Sequence, residues 1–382
     1  MITKPSGFLA AGVAAGLKKS GGRDLALIVN QGPEFSAGLV TTTNRVFAAP
    51  VQWTREMADG TFRAIIANSG GANAATGVAG YQQSAATAQH VAELLGIKSA
   101  DVAVCSTGMI GELLDLDALL AGATAAKEQL GDNWQDAADA IRTTDTRSKT
   151  AEYLADTFTV GGIAKGAGML APAMATMLCF ITTDAALSSA EAQEIIEYAV
   201  DKSFNRIDSD GAMSTNDTVI LLASGAAGRA DLAAVRTAVT AVAKDLARQL
   251  IADAEGAAHD IAISVRGAHS ETAALAVARA VSRSNLVKTA IFGNDPNWGR
   301  VLSQVGTVPA EVAPFDPGDV DIYFNGIQVC RGGGVGADRA LVDLTPREVS
   351  IEIDLHAGTA QATLWTNDLT HGYVHENSAY SS

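Results

Sequence analysis

Two rhythms of apolar residues run along this chain. Short unbroken or alternating apolar runs at 25–29, 62–67 and 102–105 predict strands, because successive strand side chains face opposite ways and a strand covered on both faces reads as continuous apolar sequence. Between them, apolar residues recur at three- and four-residue steps over 82–95 and 116–129, which predicts helices, the second opening on Asp115 or Asp117 as its N-cap. The alternation resumes with a strand at 177–183. A helix then runs towards Phe204 from Ser188 and Glu191, which are spaced as a capping box, and a strand follows at 219–224. Leu232, Val235, Val239, Val242, Leu246 and Leu250 lie on one stripe of a long helix, and that stripe is core. An apolar stretch at 8–17 is read as the first structured element, since Gly12 and Gly16 interrupt it, Pro5 and Gly7 precede it and a strand pattern follows directly; a signal-peptide core is the weaker reading.

Strands alternating with helices predict an α/β fold of stacked layers. From about residue 285 the pattern changes to short strands at 320–324, 349–355 and 361–365 between Gly- and Pro-rich loops, including Arg331–Gly334, so a smaller C-terminal α+β domain is expected over about 285–382. No repeat, low-complexity tract or apolar run of the length of about eighteen residues needed to span a membrane interrupts this organisation.

Composition narrows the function. The chain has 382 residues, enough for two or three domains, with few aromatics and 37 glycines, so small side chains must pack the core. A net charge of −15 argues against nucleic acid and anionic membranes as partners, although a small-substrate pocket can still be locally basic. Cys105, Cys179 and Cys330 are widely separated and odd in number, which suggests a reducing, cytoplasmic compartment and no metal cluster.

The chemistry concentrates in residues 165–179, KGAGMLAPAMATMLC. Glycines open the segment, Pro172 kinks it, and Thr176 stands between a small residue, Ala175, and an apolar strand. A threonine hydroxyl so placed can attack the carbonyl before it; hydrolysis of the resulting ester splits the chain after Ala175. Thr176 then becomes an N-terminus, and its free amine, with an ordinary pKa of about 7.7–8.0, can act as base for its own hydroxyl. Taken alone, the segment also suits a loop feeding a core strand.

Further motifs accompany it. They are Cys105–Gly111 (CSTGMIG), Asp210–Thr218 (DGAMSTNDT), Asp253–Gly256 (DAEG), Asn294–Arg300 (NDPNWGR) and the terminal Glu376–Ser382 (ENSAYSS). Together they resemble the glutamate N-acetyltransferase, or ornithine acetyltransferase, family of arginine biosynthesis, from about Gly7 to the last residue. The resemblance implies a layered α-β-β-α sandwich shared with related aminopeptidases. It implies self-cleavage into an α chain, residues 1–175, and a β chain, residues 176–382, paired as an α2β2 heterotetramer. It also implies transfer of acetyl from N²-acetyl-L-ornithine to L-glutamate through an acetyl-Thr176 intermediate, without a cofactor; acetyl-CoA is left open as a second donor. Thr107 and Gly108 match the oxyanion donors. Thr143, Lys165, Glu255, Asn377 and Ser382, with Thr176, match substrate-binding positions, the neighbouring Thr144 leaving the Thr143 register open. An N-terminal-nucleophile aminopeptidase or amidase is the alternative.

Other features are read without function. Asn68–Asn73 (NSGGAN) between a strand and a helix lacks the lysine of a P-loop and is taken as a tight turn whose glycines supply positive φ, bordering a site at most. His371 and His375 have the i, i+4 spacing of a zinc pair, but Gly372 weakens a helix there and no glutamate lies between them. Asp208, Asp210 and Asp217 fit no calcium loop and are taken as turn residues. Cys105, with no histidine near it in sequence, is taken as a buried strand cysteine and not a rival nucleophile.

Overall fold

Strands that are apolar on both faces need cover on both faces, and two stacked sheets between helices supply it. The computed structural model describes residues 1–171 and 177–379. The first of its two units comprises Met1–Asn205 and Ala212–Asp253. In chain order its elements are β1 (Phe8–Val13), β2 (Leu25–Asn30), β3 (Ser36–Thr41), α1 (Ala49–Met57), β4 (Ala64–Asn68), α2 (Gly77–Leu95), β5 (Val102–Ser106), α3 (Leu116–Glu128), α4 (Trp134–Ala140), β6 (Lys149–Leu154), β7 (Thr159–Lys165), β8 (Leu178–Ala185), α5 (Ser189–Asp201), β9 (Thr218–Gly228) and α6 (Leu232–Ala252). One sheet has the order β1-β2-β4-β5 and the other β3-β9-β8-β7-β6. Each contains one parallel pair, β4 with β5 and β8 with β9.

The two sheets stack. Phe8, Ile28, Ile65 and Cys105 of the first meet Ile163, Phe180, Ile220 and Leu222 of the second in one buried cluster. On the outer face of the first sheet, Leu27, Ile66 and Val104 pack on Val91 of α2 and Leu119 and Ala123 of α3. The second sheet is covered by α5 and α6, and a Cβ at Gly162 of β7 would stand 2.9 Å from Leu246 and Val242 of α6. That close approach explains a glycine inside a strand. The layers are therefore α-β-β-α. Asp115 caps α3, and Ser188 with Glu191 forms the capping box of α5, as their spacing predicts.

The second unit comprises, among the described residues, Arg206–Gly211 and Ala254–Ala379. Its elements are β10 (Asp260–Ala268), α7 (Glu271–Ser282), α8 (Asn285–Phe292), α9 (Trp298–Val305), β11 (Asp321–Phe324), β12 (Ile327–Arg331), β13 (Gly334–Val335), β14 (Glu348–Asp354), β15 (Ala360–Asn367) and α10 (His371–Ala379). They build a six-stranded sheet of order β13-β12-β11-β14-β10-β15, against which α7 and α9 bury Val277, Val281, Val301 and Val305. The unit begins ahead of the composition shift near residue 285, because β10 lies inside its sheet, paired with β14 and β15. Segment 206–211 is stitched in by Asp208, whose carboxylate accepts from Arg283 at 2.7 Å and from the Gly211 N–H at 3.0 Å. Among the described residues no helix is long and apolar enough to cross a membrane.

Gly372 does not prevent a helix at 371–379, contrary to the sequence expectation. The glycine serves close packing: a Cβ there would lie 3.2 Å from the Gly256 Cα.

Candidate active site

β5 ends at Ser106 and delivers Thr107 into the interior, with Gly108 half-buried after it. The Thr107 N–H donates to the Asn68 carbonyl at 2.9 Å, and its side chain is buried. Gly108 adopts φ +131°, and a Cβ on it would meet the backbone of Gly71 at 2.9 Å, so the position admits only glycine. The Asn68–Asn73 loop thus presses directly on the Thr107–Gly108 turn. Its glycines do not supply positive φ: a Cβ would stand 2.3 Å from Leu17 at Gly70 and 3.0 Å from Leu114 at Gly71, and the left-handed residues are Asn73 and Ala75 beyond them. Asn216 fixes the same corner, its side-chain N–H₂ donating to the carbonyls of Ala72 at 2.7 Å and Ser106 at 2.8 Å.

Lys165, the last residue of β7, is fully buried, and its Nζ donates to Thr107 Oγ1 at 3.2 Å. With that oxygen acting as acceptor, the Thr107 hydroxyl hydrogen is directed elsewhere, and among the described residues it meets no acceptor. Burial lowers the Lys165 pKa, against the opposing attraction of Asp145 and Asp217. Asp145 is buried too. Burial would raise its pKa, but the ammonium groups of Lys165 and Lys149 and the Gly166 N–H outweigh that and hold it at about 2.

Thr143 lies exposed in the loop before β6, and its N–H donates to Asp145 Oδ2 at 3.0 Å. Asp145 Oδ1 accepts from the Gly166 N–H at 2.6 Å and from Lys149 Nζ at 2.5 Å. Lys149 Nζ also reaches Asp253 Oδ2 at 2.5 Å, and Asp253 in turn accepts from the N–H and hydroxyl of Thr146. Thr107, Lys165 and the Thr143 loop are therefore held by one buried charged network.

Ala175 and Thr176, the expected cleavage site and nucleophile, lie outside the described residues, as does Ser382. Just after them, the Met177 N–H donates to Asp217 Oδ1 at 2.9 Å. Asp217 is no turn residue: it is fully buried, and burial pushes its carboxyl well above the ordinary range. Among the described residues its other oxygen, Oδ2, makes no hydrogen bond of good geometry, although the hydroxyls of Ser214 and Thr42 stand near the carboxyl group.

In the second unit, Glu255 and Asn377 come together across 122 residues, Asn377 Nδ2 donating to Glu255 Oε2 at 3.1 Å and to the Tyr373 carbonyl at 3.0 Å. Gly256 permits this, since a Cβ there would strike the Tyr373 nitrogen at 2.3 Å. Thr370 links the two segments, donating to the Gly256 carbonyl at 2.6 Å and accepting from the Tyr373 N–H at 3.0 Å. Burial next to Asp210 and Glu255 raises the Tyr373 hydroxyl to about 12.

Asp145, Lys149, Asp253, Asn216 and Asp217 were not singled out in the sequence as site residues. Asn216, Asp217 and Asp253 stand within motifs quoted above, which is the signal that could have found them; Asp145 stands only near Thr143 in sequence, and Lys149 has no such signal. Cys105 and Cys179 are fully buried and desolvation pushes both thiols far up, so neither is poised as a nucleophile.

A model of the ArgJ family matches residues 9–382. The "Arginine biosynthesis bifunctional protein ArgJ" of Bifidobacterium longum is 56% identical over 389 residues, covering all of both chains, and that of Thermobifida fusca is 54% identical, again over all of both. Among solved structures, an ornithine acetyltransferase complexed with ornithine from Mycobacterium tuberculosis is 49% identical, covering 45% of this chain and 94% of that one with a TM-score of 0.44. A family match over nearly the whole length, joined to relatives identical at more than half their positions, is decisive: the chain belongs to the ArgJ family.

Proposed function

We propose that this chain is a self-cleaving acetyltransferase of arginine biosynthesis, which moves acetyl from N²-acetyl-L-ornithine to L-glutamate. Within the site, the observation that carries the reading is Thr107, buried, constrained against Gly71 and polarised by Lys165, with its hydroxyl hydrogen left to donate. That is a donor preorganised for an oxyanion, and Gly108 N–H is its partner. Family membership sets aside the aminopeptidase alternative.

Cleavage between Ala175 and Thr176 frees the Thr176 amine. That amine takes the hydroxyl proton as Oγ1 attacks the acetyl carbonyl carbon, and the carbonyl electron pair moves onto oxygen, towards Thr107 and Gly108. Collapse breaks the C–N bond, ornithine leaves with the proton, and acetyl-Thr176 remains. The amine of glutamate then attacks the ester, returning the proton to Oγ1 and releasing N-acetyl-L-glutamate. Lys165 and Thr143 bind the donor in the first unit, and Glu255, Asn377 and Ser382 hold amino-acid groups. The two chains stay together and pair as α2β2, and acetyl-CoA serves as a second donor.

Denaturing gels and N-terminal sequencing test the first step. Wild type should give two bands, the second beginning at Thr176, while Thr176→Ala gives one inactive band; an intact, active wild-type chain would sink the mechanism. Acetyl transfer from acetylornithine to glutamate, assayed beside acetyl-CoA, tests the donors, and native mass tests the assembly.

A further inference from the structure

Two positions matched to substrate binding, Thr143 and Lys165, lie 22 residues apart in sequence on separate segments of the first unit. The Asp145 carboxylate reaches both segments. Oδ2 takes the Thr143 N–H at 3.0 Å and Oδ1 takes the N–H of Gly166, next to Lys165, at 2.6 Å. Lys149 Nζ holds Oδ1 at 2.5 Å and joins it to Asp253, at the end of α6, also at 2.5 Å. The loop is tied at further points: Arg142 Nη2 donates to the Asp145 carbonyl at 2.7 Å, Lys18 Nζ to the Arg142 carbonyl at 2.7 Å, and the Thr146 N–H to Asp253 at 3.0 Å.

Asp145 and Lys149 side chains are wholly inaccessible and Asp253 is nearly so, at 6% exposure. A buried charged triad is an inefficient way to stabilise a fold, because desolvation consumes most of the attraction and well-packed apolar side chains often do as well. Its distinctive property is geometric: one planar carboxylate fixes two backbone N–H groups at a set separation.

We propose that Asp145, clamped by Lys149 against Asp253, is a positioning residue that sets the spacing between the Thr143 loop and Lys165 and thereby the affinity for the amino-acid substrate. This rests on the acetyltransferase reading above for the identity of the substrate. Asp145 does not touch the substrate; it acts through Thr143 and Lys165. An Asn at this position keeps the volume but offers one acceptor oxygen, so one of the two tethers is lost.

Two variants test the proposal, Asp145→Asn and the charge-balanced double variant Asp145→Asn with Lys149→Met, each compared with wild type for band pattern, KM and kcat for acetylornithine, and calorimetric affinity for ornithine. Both cleaved chains should still form. KM and the dissociation constant should rise about tenfold or more, with kcat changed by less than about threefold, since misplacing a positioning group by an ångström costs up to about a hundredfold. Constants within about twofold of wild type in either soluble variant, or loss of all soluble protein from both, would assign the triad to folding alone and overturn the proposal. Wild type that binds ornithine without transferring acetyl would sink the acetyltransferase reading while the affinities still decide the triad; wild type that does neither sinks both.

Discussion

Replacing Thr107 by Val removes a hydroxyl and leaves the side-chain shape, which isolates the oxyanion role. The hydroxyl accepts from Lys165 at 3.2 Å, and its hydrogen finds no acceptor among the described residues, so on the proposed mechanism it is the donor to the oxyanion. Loss of one such donor costs about 10²–10³ in kcat, or about 2.7–4 kcal/mol of transition-state stabilisation. A second effect is separable: buried Lys165 loses an acceptor, at about 1–3 kcal/mol of stability, partly offset because Asp145 still faces it. Thr107→Val should therefore self-cleave at least in part, melt a few degrees lower and lose about two orders of magnitude in kcat. Thr107→Ser, which restores the hydroxyl without the methyl, should recover most of the rate. Steady-state acetyl transfer from acetylornithine to glutamate is the assay. A kcat for Thr107→Val within about threefold of wild type would remove Thr107 from the site, and equal losses in Val and Ser would show that packing, not donation, matters.

The remaining expectations follow from the same contacts. Deleting residues 377–382 removes the Asn377–Glu255 hydrogen bond, so KM for acetylornithine should rise and more acetyl should be lost to water, whereas an idle tail would leave KM and the transfer-to-hydrolysis ratio unchanged. Asp217→Asn mimics the neutral acid that burial favours and still accepts the Met177 N–H, so it should keep the two-band pattern and wild-type melting; Asp217→Leu, which cannot accept, should lose roughly 1–3 kcal/mol, and equal melting of the two would refute the contact. Asp145, held at about 2 in the fold against 3.8 unfolded, contributes stability that is present above pH 4 and lost as pH falls towards 2, by roughly 2 kcal/mol at most; chemical denaturation across that range should show the loss in wild type and a flatter profile in Asp145→Asn. Cys105→Ala should leave kcat within about twofold, as burial holds the thiol protonated.

Where the apolar pattern was strong, sequence and structure coincide. The 25–29 run became β2, 102–105 became β5, and the stripe from Val235 to Leu250 became the buried face of α6. Helix 82–95 begins five residues earlier, at Gly77, because α2 opens on a small residue that carries no periodic signal. β6 and β7 were not marked at all. β6 reads KTAEYL and exposes its outer half, so it lacks alternation, and β7 reads TVGGIAK. Its two glycines look like a loop in one dimension. In three, Gly161 abuts the Met1 carbonyl and Gly162 abuts α6, and both are fixed by neighbours far away in sequence.

The site shows the same division more sharply. Motif resemblance pointed to Thr107, Gly108 and Lys165, and the fold brings Lys165 within hydrogen-bonding distance of Thr107 although 58 residues separate them. What resemblance did not supply is the support behind them. Lys149 heads a half-exposed strand, and from sequence its ammonium belongs in solvent; it is buried because Asp253, 104 residues on, closes over it from the end of α6. Burial of a charge is a property of the partners that surround it, and local pattern records only the residue that is buried. Asp217 makes the converse case, since fitting no calcium loop it reads with Asp208 and Asp210 as a turn residue, yet register decides otherwise. β8 and β9 run parallel with Leu178 opposite Thr218, which sets Met177 beside Asp217 and makes the acid the acceptor for the Met177 backbone N–H.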